Sequence, residues 1–172
     1  MKTPIDPQNY WMQIERLERL IRAAELKAGL VFSFHSLILG ICFERIDTIQ
    51  SVLEGHYIFW IFATFWVVFV LLSIFYAFKC FRPKLEMKYD TNVFFFNDAA
   101  YNYKDIKNYS KELAKVCADN DELVKQLGEQ IHIESKIIDH KFVCVNKSIK
   151  FFGMSFAFVV LLIISWIIQV IW

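Results

Sequence analysis

The residues with the chemistry to form a site are few and scattered. Glu129-Gln130-Ile131-His132 sets a carboxylate and an imidazole three positions apart, the half-motif that di-metal carboxylate proteins carry on a helix. Such a centre needs a second copy and further glutamates. The sequence supplies neither, so no metal is expected. The cysteines Cys42, Cys80, Cys117 and Cys144 are widely spaced, with no CxxC pair, and reduced thiols are expected. His35 lies in an apolar run, where a polar bridge between helices is expected rather than a proton relay. There is no glycine-rich phosphate loop, no G-x-S-x-G and no H-E-x-x-H. With so few convergent groups, neither an enzyme nor a cofactor is expected.

The elements that would hold these residues are written in the composition. Of 172 residues, 56% are hydrophobic and 17% aromatic, with 18 Phe against 5 Gly and 3 Pro. Soluble domains carry less apolar residue, about 45–50%, and here the excess sits in blocks. A disordered tail, a collagen-like rod and a disulfide-knotted toxin are excluded. The net charge of +1 gives no footing for a general nucleic-acid binder. Three stretches are free of charge: 28–43, 57–78 and 151–172. As helices the latter two reach about 33 Å, enough for a hydrocarbon core of about 30 Å. The first reaches about 24 Å, and it is read as a span because Lys27 and Arg45 can snorkel at its ends. The segment before it contains Pro4, Pro7 and several acids and no apolar run, so it is not read as a signal peptide.

Lysine and arginine flank the spans unevenly. Lys2, Arg16, Arg19, Arg22 and Lys27 precede the first span; Lys79, Arg82, Lys84 and Lys88 follow the second; Lys147 and Lys150 precede the third. The 44–56 loop has Arg45 alone against Glu44, Asp47 and Glu54. The positive-inside bias therefore predicts a cytoplasmic N-terminus and a cytoplasmic 79–150 segment, with 44–56 and Trp172 outside.

The expected fold is an all-α integral membrane protein with three transmembrane helices and a small cytoplasmic helical module. A pre-membrane helix over 1–27 leads into span 28–43. Span 57–78 ends at Arg82-Pro83, because a residue before proline is pushed from the α region. Residues 84–100 read as an irregular or short extended connection, and Asn97 or Asp98 as a helix cap. Ile106, Tyr109, Leu113 and Val116 form an amphipathic stripe. Asp119 to Glu122 then caps a last helix that runs long and continuous from about 120 to 172. On the first helix Gly29, Ser33, Ser36 and Gly40 share a stripe of small residues, which suits either packing within the chain or self-association.

In this order and spacing, several short elements resemble the small transmembrane effectors of bacterial Pycsar systems. Arg22-Ala23-Ala24-Glu25-Leu26-Lys27-Ala28 is similar to the family's acid-x-Lys-Ala lead-in to the first span, with Glu25 where Asp is commoner. Arg82-Pro83 follows the second span as in the family. Asn92-Val93-Phe94-Phe95-Phe96-Asn97-Asp98 resembles an aromatic segment that normally reads Phe-Gly, from which Asn97 departs. Leu127 through Phe142 resembles the stretch ending in Lys plus an aromatic before the last span. The resemblance implies a bacterial inner-membrane effector of antiphage defence. Cyclic UMP or cyclic CMP would activate it, and membrane integrity would then fail. It implies Glu25, Lys27, Arg82, Phe95, Asn97 and Lys141 as ligand-binding or coupling residues.

The residues themselves agree with a cyclic mononucleotide to this extent: one phosphate charge matches one or two basic groups, and a base can stack on an aromatic. Topology anchoring by Arg82, and packing or headgroup contact by the Phe triplet, are equally open at this point. Expected partners are membrane lipid, the cyclic mononucleotide and further copies of the chain, with no nucleic acid. The rival functions are a constitutive membrane scaffold and a holin-like pore former without ligand.

Overall fold

A computed structural model of the chain describes residues 5–53, 57–82 and 91–171. It is helical, with no strand among the described residues: α1 (Gln8–Glu44), α2 (Ile46–Leu53), α3 (Tyr57–Phe81), α4 (Phe96–Tyr101), α5 (Ile106–Ala118) and α6 (Asn120–Ile171). Three of them, α1, α3 and α6, are long and apolar enough to cross a membrane. Pro83, the 84–90 part of the irregular connection and Trp172 lie outside the described residues.

The chain divides into two compact units. One comprises Met1–Arg22 and Lys84–Asp139, the other Ala23–Pro83 and His140–Trp172. Both α1 and α6 contribute residues to each.

In the first unit, local caps set the helix starts. Asp6 accepts from the Gln8 amide at 2.9 Å, and Pro7 supplies the carbonyl to Tyr10 N. The cap expected at Asn97 or Asp98 is not the one used. The helix carrying the amphipathic stripe begins at Ile106, where Asp105 accepts from the Asn108 amide at 2.8 Å. A separate short helix, α4, precedes it with Phe95 at its N-cap and no side-chain cap bond. The physical reason is competition for Asp98. Its two carboxylate oxygens are taken by the Asn92 amide and by Asn102 Nδ2, both at 2.9 Å. Asp119 caps α6 as the sequence suggests, accepting from the amides of Asp121 and Glu122.

The second unit is a helical bundle with a narrow core and a broad apolar exterior. Ala24, Ala28, Val31 and His35 form the buried face of α1; Val70, Ser73, Ala77 and Cys80 that of α3; Lys141, Cys144, Val145, Ser148 and Ser155 that of α6. Most are small, which lets helix backbones approach closely where lipid offers no hydrophobic drive for association. Ser73 and Ser148 close this seam reciprocally. Ser73 Oγ donates to the Ser148 carbonyl at 2.8 Å, and Ser148 Oγ donates to the Ser73 carbonyl at 2.9 Å. Large apolar side chains such as Phe65, Leu71, Phe75 and Ile164 point outward, as hydrocarbon permits.

Three expectations change here. The Gly29/Ser33/Ser36/Gly40 stripe is not the inward face of the bundle. Ser33, Ser36 and Gly40 are exposed, and an added Cβ at Gly40 would meet nothing within 4 Å among the described residues. The inward face lies one residue, about 100°, round the helix. His35 is buried but bridges no helices by hydrogen bond through Nε2, which has no partner among the described residues. Its ring packs edge-on against Phe152, with centroids 5.1 Å apart. The segment after Glu44, expected as loop, also holds the short helix α2.

Candidate functional site

Residues 116 positions apart meet in the second unit. Lys141, only 3% exposed, donates from Nζ to Glu25 Oε1 at 2.7 Å and to the Cys80 carbonyl at 2.8 Å. The position of each follows from its helix. Cys80 sits in the last turn of α3, where carbonyls lack an intrahelical donor and carry the negative end of the helix dipole. Lys141 brings a cation to that end. Glu25 completes the pair from α1, with Ala24 and Ala28 beside it buried against Ala77, Cys80, Cys144 and Val145. A single ammonium thus ties α1, α3 and α6 together. The Glu25 side chain is 39% exposed, so this is a half-solvated pair rather than a dry one.

The first unit has a second polar centre, built on Asn92. Its side chain is fully buried. Nδ2 donates to the Gln126 carbonyl at 2.8 Å and to Glu129 Oε2 at 3.3 Å, while Oδ1 accepts from the Phe94 amide at 2.9 Å. Val93 N donates to Gln126 Oε1, and Tyr109 OH donates to the Val93 carbonyl. The 92–95 turn is therefore pinned to α6 and α5, and Trp11 packs edge-on against Phe94 at 5.3 Å. Glu129, half of the E-x-x-H motif, serves this turn. No group of three or more potential metal ligands is found among the described residues.

One place in this unit is unsatisfied. Gln130 Nε2 donates to Glu134 Oε1 at 3.0 Å, yet Gln130 Oε1 and Glu134 Oε2 are buried with no hydrogen-bond partner among the described residues. Burial pushes the Glu134 carboxyl above the ordinary carboxylate range; the bond from Gln130 opposes that and the charge of Glu18 adds to it.

Of the six residues singled out in the sequence, Glu25 and Lys141 are brought into contact. Lys27 and Arg82 belong to the same unit but are exposed and without an ion-pair partner among the described residues. Phe95 and Asn97 belong to the other unit, Phe95 half-buried at the N-cap of α4 and Asn97 exposed. Asn92 and Gln126 were missed as centres of the network. The only sequence signal for them was the polar residue opening the aromatic segment.

The family model for the Pycsar effector protein domain matches residues 9–168, nearly the whole chain. The chain belongs to the Pycsar effector family. The match spans all three apolar helices as well as the Asn92 and Lys141 centres, so both lie within the family domain. This makes it a helical transmembrane protein of an antiphage effector family, a family that is not a known enzyme class. No curated protein and no solved structure matches it.

Proposed function

We propose that this Pycsar effector is switched on by a cyclic pyrimidine mononucleotide, cyclic UMP or cyclic CMP, and then impairs the bacterial inner membrane without catalysing a reaction. Membership of the effector family over residues 9–168 carries this reading. Lys27 and Arg82, exposed cations with no ion-pair partner among the described residues, are the candidates for the single phosphate. Glu25 and Lys141 are assigned to coupling, because the ammonium is already engaged within the chain. Phe95 and Asn97, both in the first unit, are kept as ligand-binding or coupling candidates on the family resemblance. In this reading α6 transmits the signal, since its residues belong to both compact units. A ligand shifts such an equilibrium only by its differential affinity for two states, typically worth about 1–3 kcal/mol.

The deciding experiment is dye release from liposomes holding the full chain, titrated with each cyclic mononucleotide. Release with cyclic UMP or cyclic CMP, blunted in Lys27→Ala or Arg82→Ala, is the expected result. Folded protein that binds none of them would favour the scaffold, and release without any nucleotide the holin-like pore. Cysteine labelling should find residues 44–56 outside and residue 110 inside.

Assembly into homo-oligomers is part of the proposal, and the outward Ser33/Ser36/Gly40 face of α1 is the observation behind it. Bulk at that face in Gly40→Ile should reduce crosslinked oligomer while leaving the folded monomer intact, because nothing among the described residues lies within 4 Å of the added Cβ.

A further inference from the structure

The charges on one seam of the second unit do not balance. From 57 to 85 and from 140 to 172 the sequence has no Asp or Glu, and the Glu25 carboxylate of α1 is already engaged by Lys141. Lys79 on α3, and Lys147 and Lys150 on α6, have no ion-pair partner among the described residues. Geometry gathers them where α3 and α6 meet. Lys147 Nζ stands 5.4 Å from the centre of the Tyr76 ring, a cation held over an aromatic face. Lys79 lies one helical turn from Tyr76 on α3, and Lys150 one turn from Lys147 on α6, so each shares its neighbour's face.

Beyond the lysines the seam continues as an aromatic wall. Tyr76 stacks on Phe151 at 5.6 Å, Phe151 on Phe69 at 6.2 Å, and Phe69 on Phe158 at 5.5 Å, all within 22° of parallel. Phe151 and Phe158 follow Lys147 and Lys150 into the charge-free end of α6, so the wall leads from the cations into the span for about 10 Å. A soluble anion would match the lysines alone, and plain hydrocarbon the rings alone. An anionic phospholipid matches both. We propose that the α3–α6 seam binds an anionic phospholipid, its phosphate among Lys79, Lys147 and Lys150 and one acyl chain along Phe151, Phe69 and Phe158. Lysine suits the task, because its stem lies on apolar surface while the ammonium reaches headgroup level. A zwitterionic headgroup would bring its own ammonium to a place with three cations and no carboxylate on either helix. The inference stands apart from the nucleotide reading, which uses Lys27 and Arg82.

The test uses the purified full chain, delipidated in a neutral detergent, and phosphatidylglycerol with a diazirine near the carbonyl end of one acyl chain. Photocrosslinks, mapped by mass spectrometry, should concentrate around Tyr76 and Phe151. Unlabelled phosphatidylglycerol should displace the probe, and phosphatidylcholine of the same chains should compete about tenfold less well. Glycerol phosphate, the anion without its chains, and cyclic UMP should leave the crosslinks unchanged. Lys147→Gln and Lys150→Gln should each weaken capture about fivefold, the worth of one basic residue at an anionic surface. Lys147→Arg should retain it, as should Lys111→Gln, which removes the same charge from the first unit. Competition on the unmodified protein decides the matter even if a variant misfolds. Phosphatidylcholine competing equally well, displacement by glycerol phosphate or cyclic UMP, or crosslinks spread over outward α1 residues such as Phe34 and Leu37 would overturn the assignment.

Discussion

Removing either partner of the Glu25–Lys141 pair should destabilise the second unit, but not equally. The Lys141 side chain is 4% exposed and the Glu25 side chain 39%. In Lys141→Met the carboxylate left behind is partly hydrated, and the Cys80 carbonyl loses a donor. The cost is that of losing charged hydrogen bonds, about 2 kcal/mol. In Glu25→Leu the buried ammonium keeps only the Cys80 carbonyl, an almost uncompensated buried charge, at about 3 kcal/mol or more. The double variant leaves no charge stranded. Replacing a buried pair by apolar side chains is often neutral, so it should lie within about 1 kcal/mol of the parent, far from the additive value of about 5 kcal/mol. For a chain of this length each kcal/mol is about 2–4 °C in melting temperature. Tryptophan-fluorescence melts of the four proteins in one detergent give the ordering directly. A double variant as unstable as the two singles combined, or Lys141→Met melting below Glu25→Leu, would refute the clamp.

Two other centres give equally direct outcomes. Asn92→Ala should cost about 2 kcal/mol by stranding the Phe94 amide and releasing the 92–95 turn. Asn92→Asp should melt lower still at neutral pH, because a carboxylate would face the Gln126 carbonyl and the Glu129 carboxylate in place of a donor. At Glu134 the folded protein holds its proton more tightly than the unfolded chain does. Stability from this group is therefore full below the ordinary carboxylate range and falls as pH rises through the raised folded value. Glu134→Gln should accordingly raise the melting temperature at neutral pH and lose that advantage on acidification. An advantage that grows toward acid pH would contradict the assignment.

The class of fold was legible because charge-free runs and their basic flanks are one-dimensional signals. Three of them give α1, α3 and α6, and Asp119 at the head of α6 reads correctly as a cap. What the sequence hid depends on partners. Glu25 and Lys141 each stood out by resemblance, but nothing local says that residues so far apart share a hydrogen bond. Small residues occupy two neighbouring faces of α1, and periodicity cannot rank Ala24/Ala28 against Ser33/Gly40 without knowing which face α3 and α6 meet. Asp98 looks as good a cap as Asp105. Only the tertiary demand of the buried Asn92 amide takes it away. The short α2 went unread because eight residues leave too little periodicity between two spans.

The way the second unit is held together bears on how an effector could be switched. Its seam is lined largely with Ala, Ser and Cys, and the bonds across it among the described residues include a serine pair and the Lys141 ammonium shared between Glu25 and the Cys80 carbonyl. Interhelical hydrogen bonds within membranes average only about 0.6 kcal/mol, because a separated helix finds substitute partners. A seam of such contacts is specific in register yet shallow in energy. It fixes which residues face each other without making their separation prohibitive. A coupling free energy of about 1–3 kcal/mol is comparable to two or three such bonds, so under the proposed function a ligand of ordinary allosteric strength would suffice to move the helices. A core of interlocked Leu and Phe would resist that shift by several kcal/mol per displaced side chain. Many of the large aromatic residues, among them Phe75, Phe78 and Phe156, face outward instead. There they meet lipid, the medium whose order the proposed output disturbs.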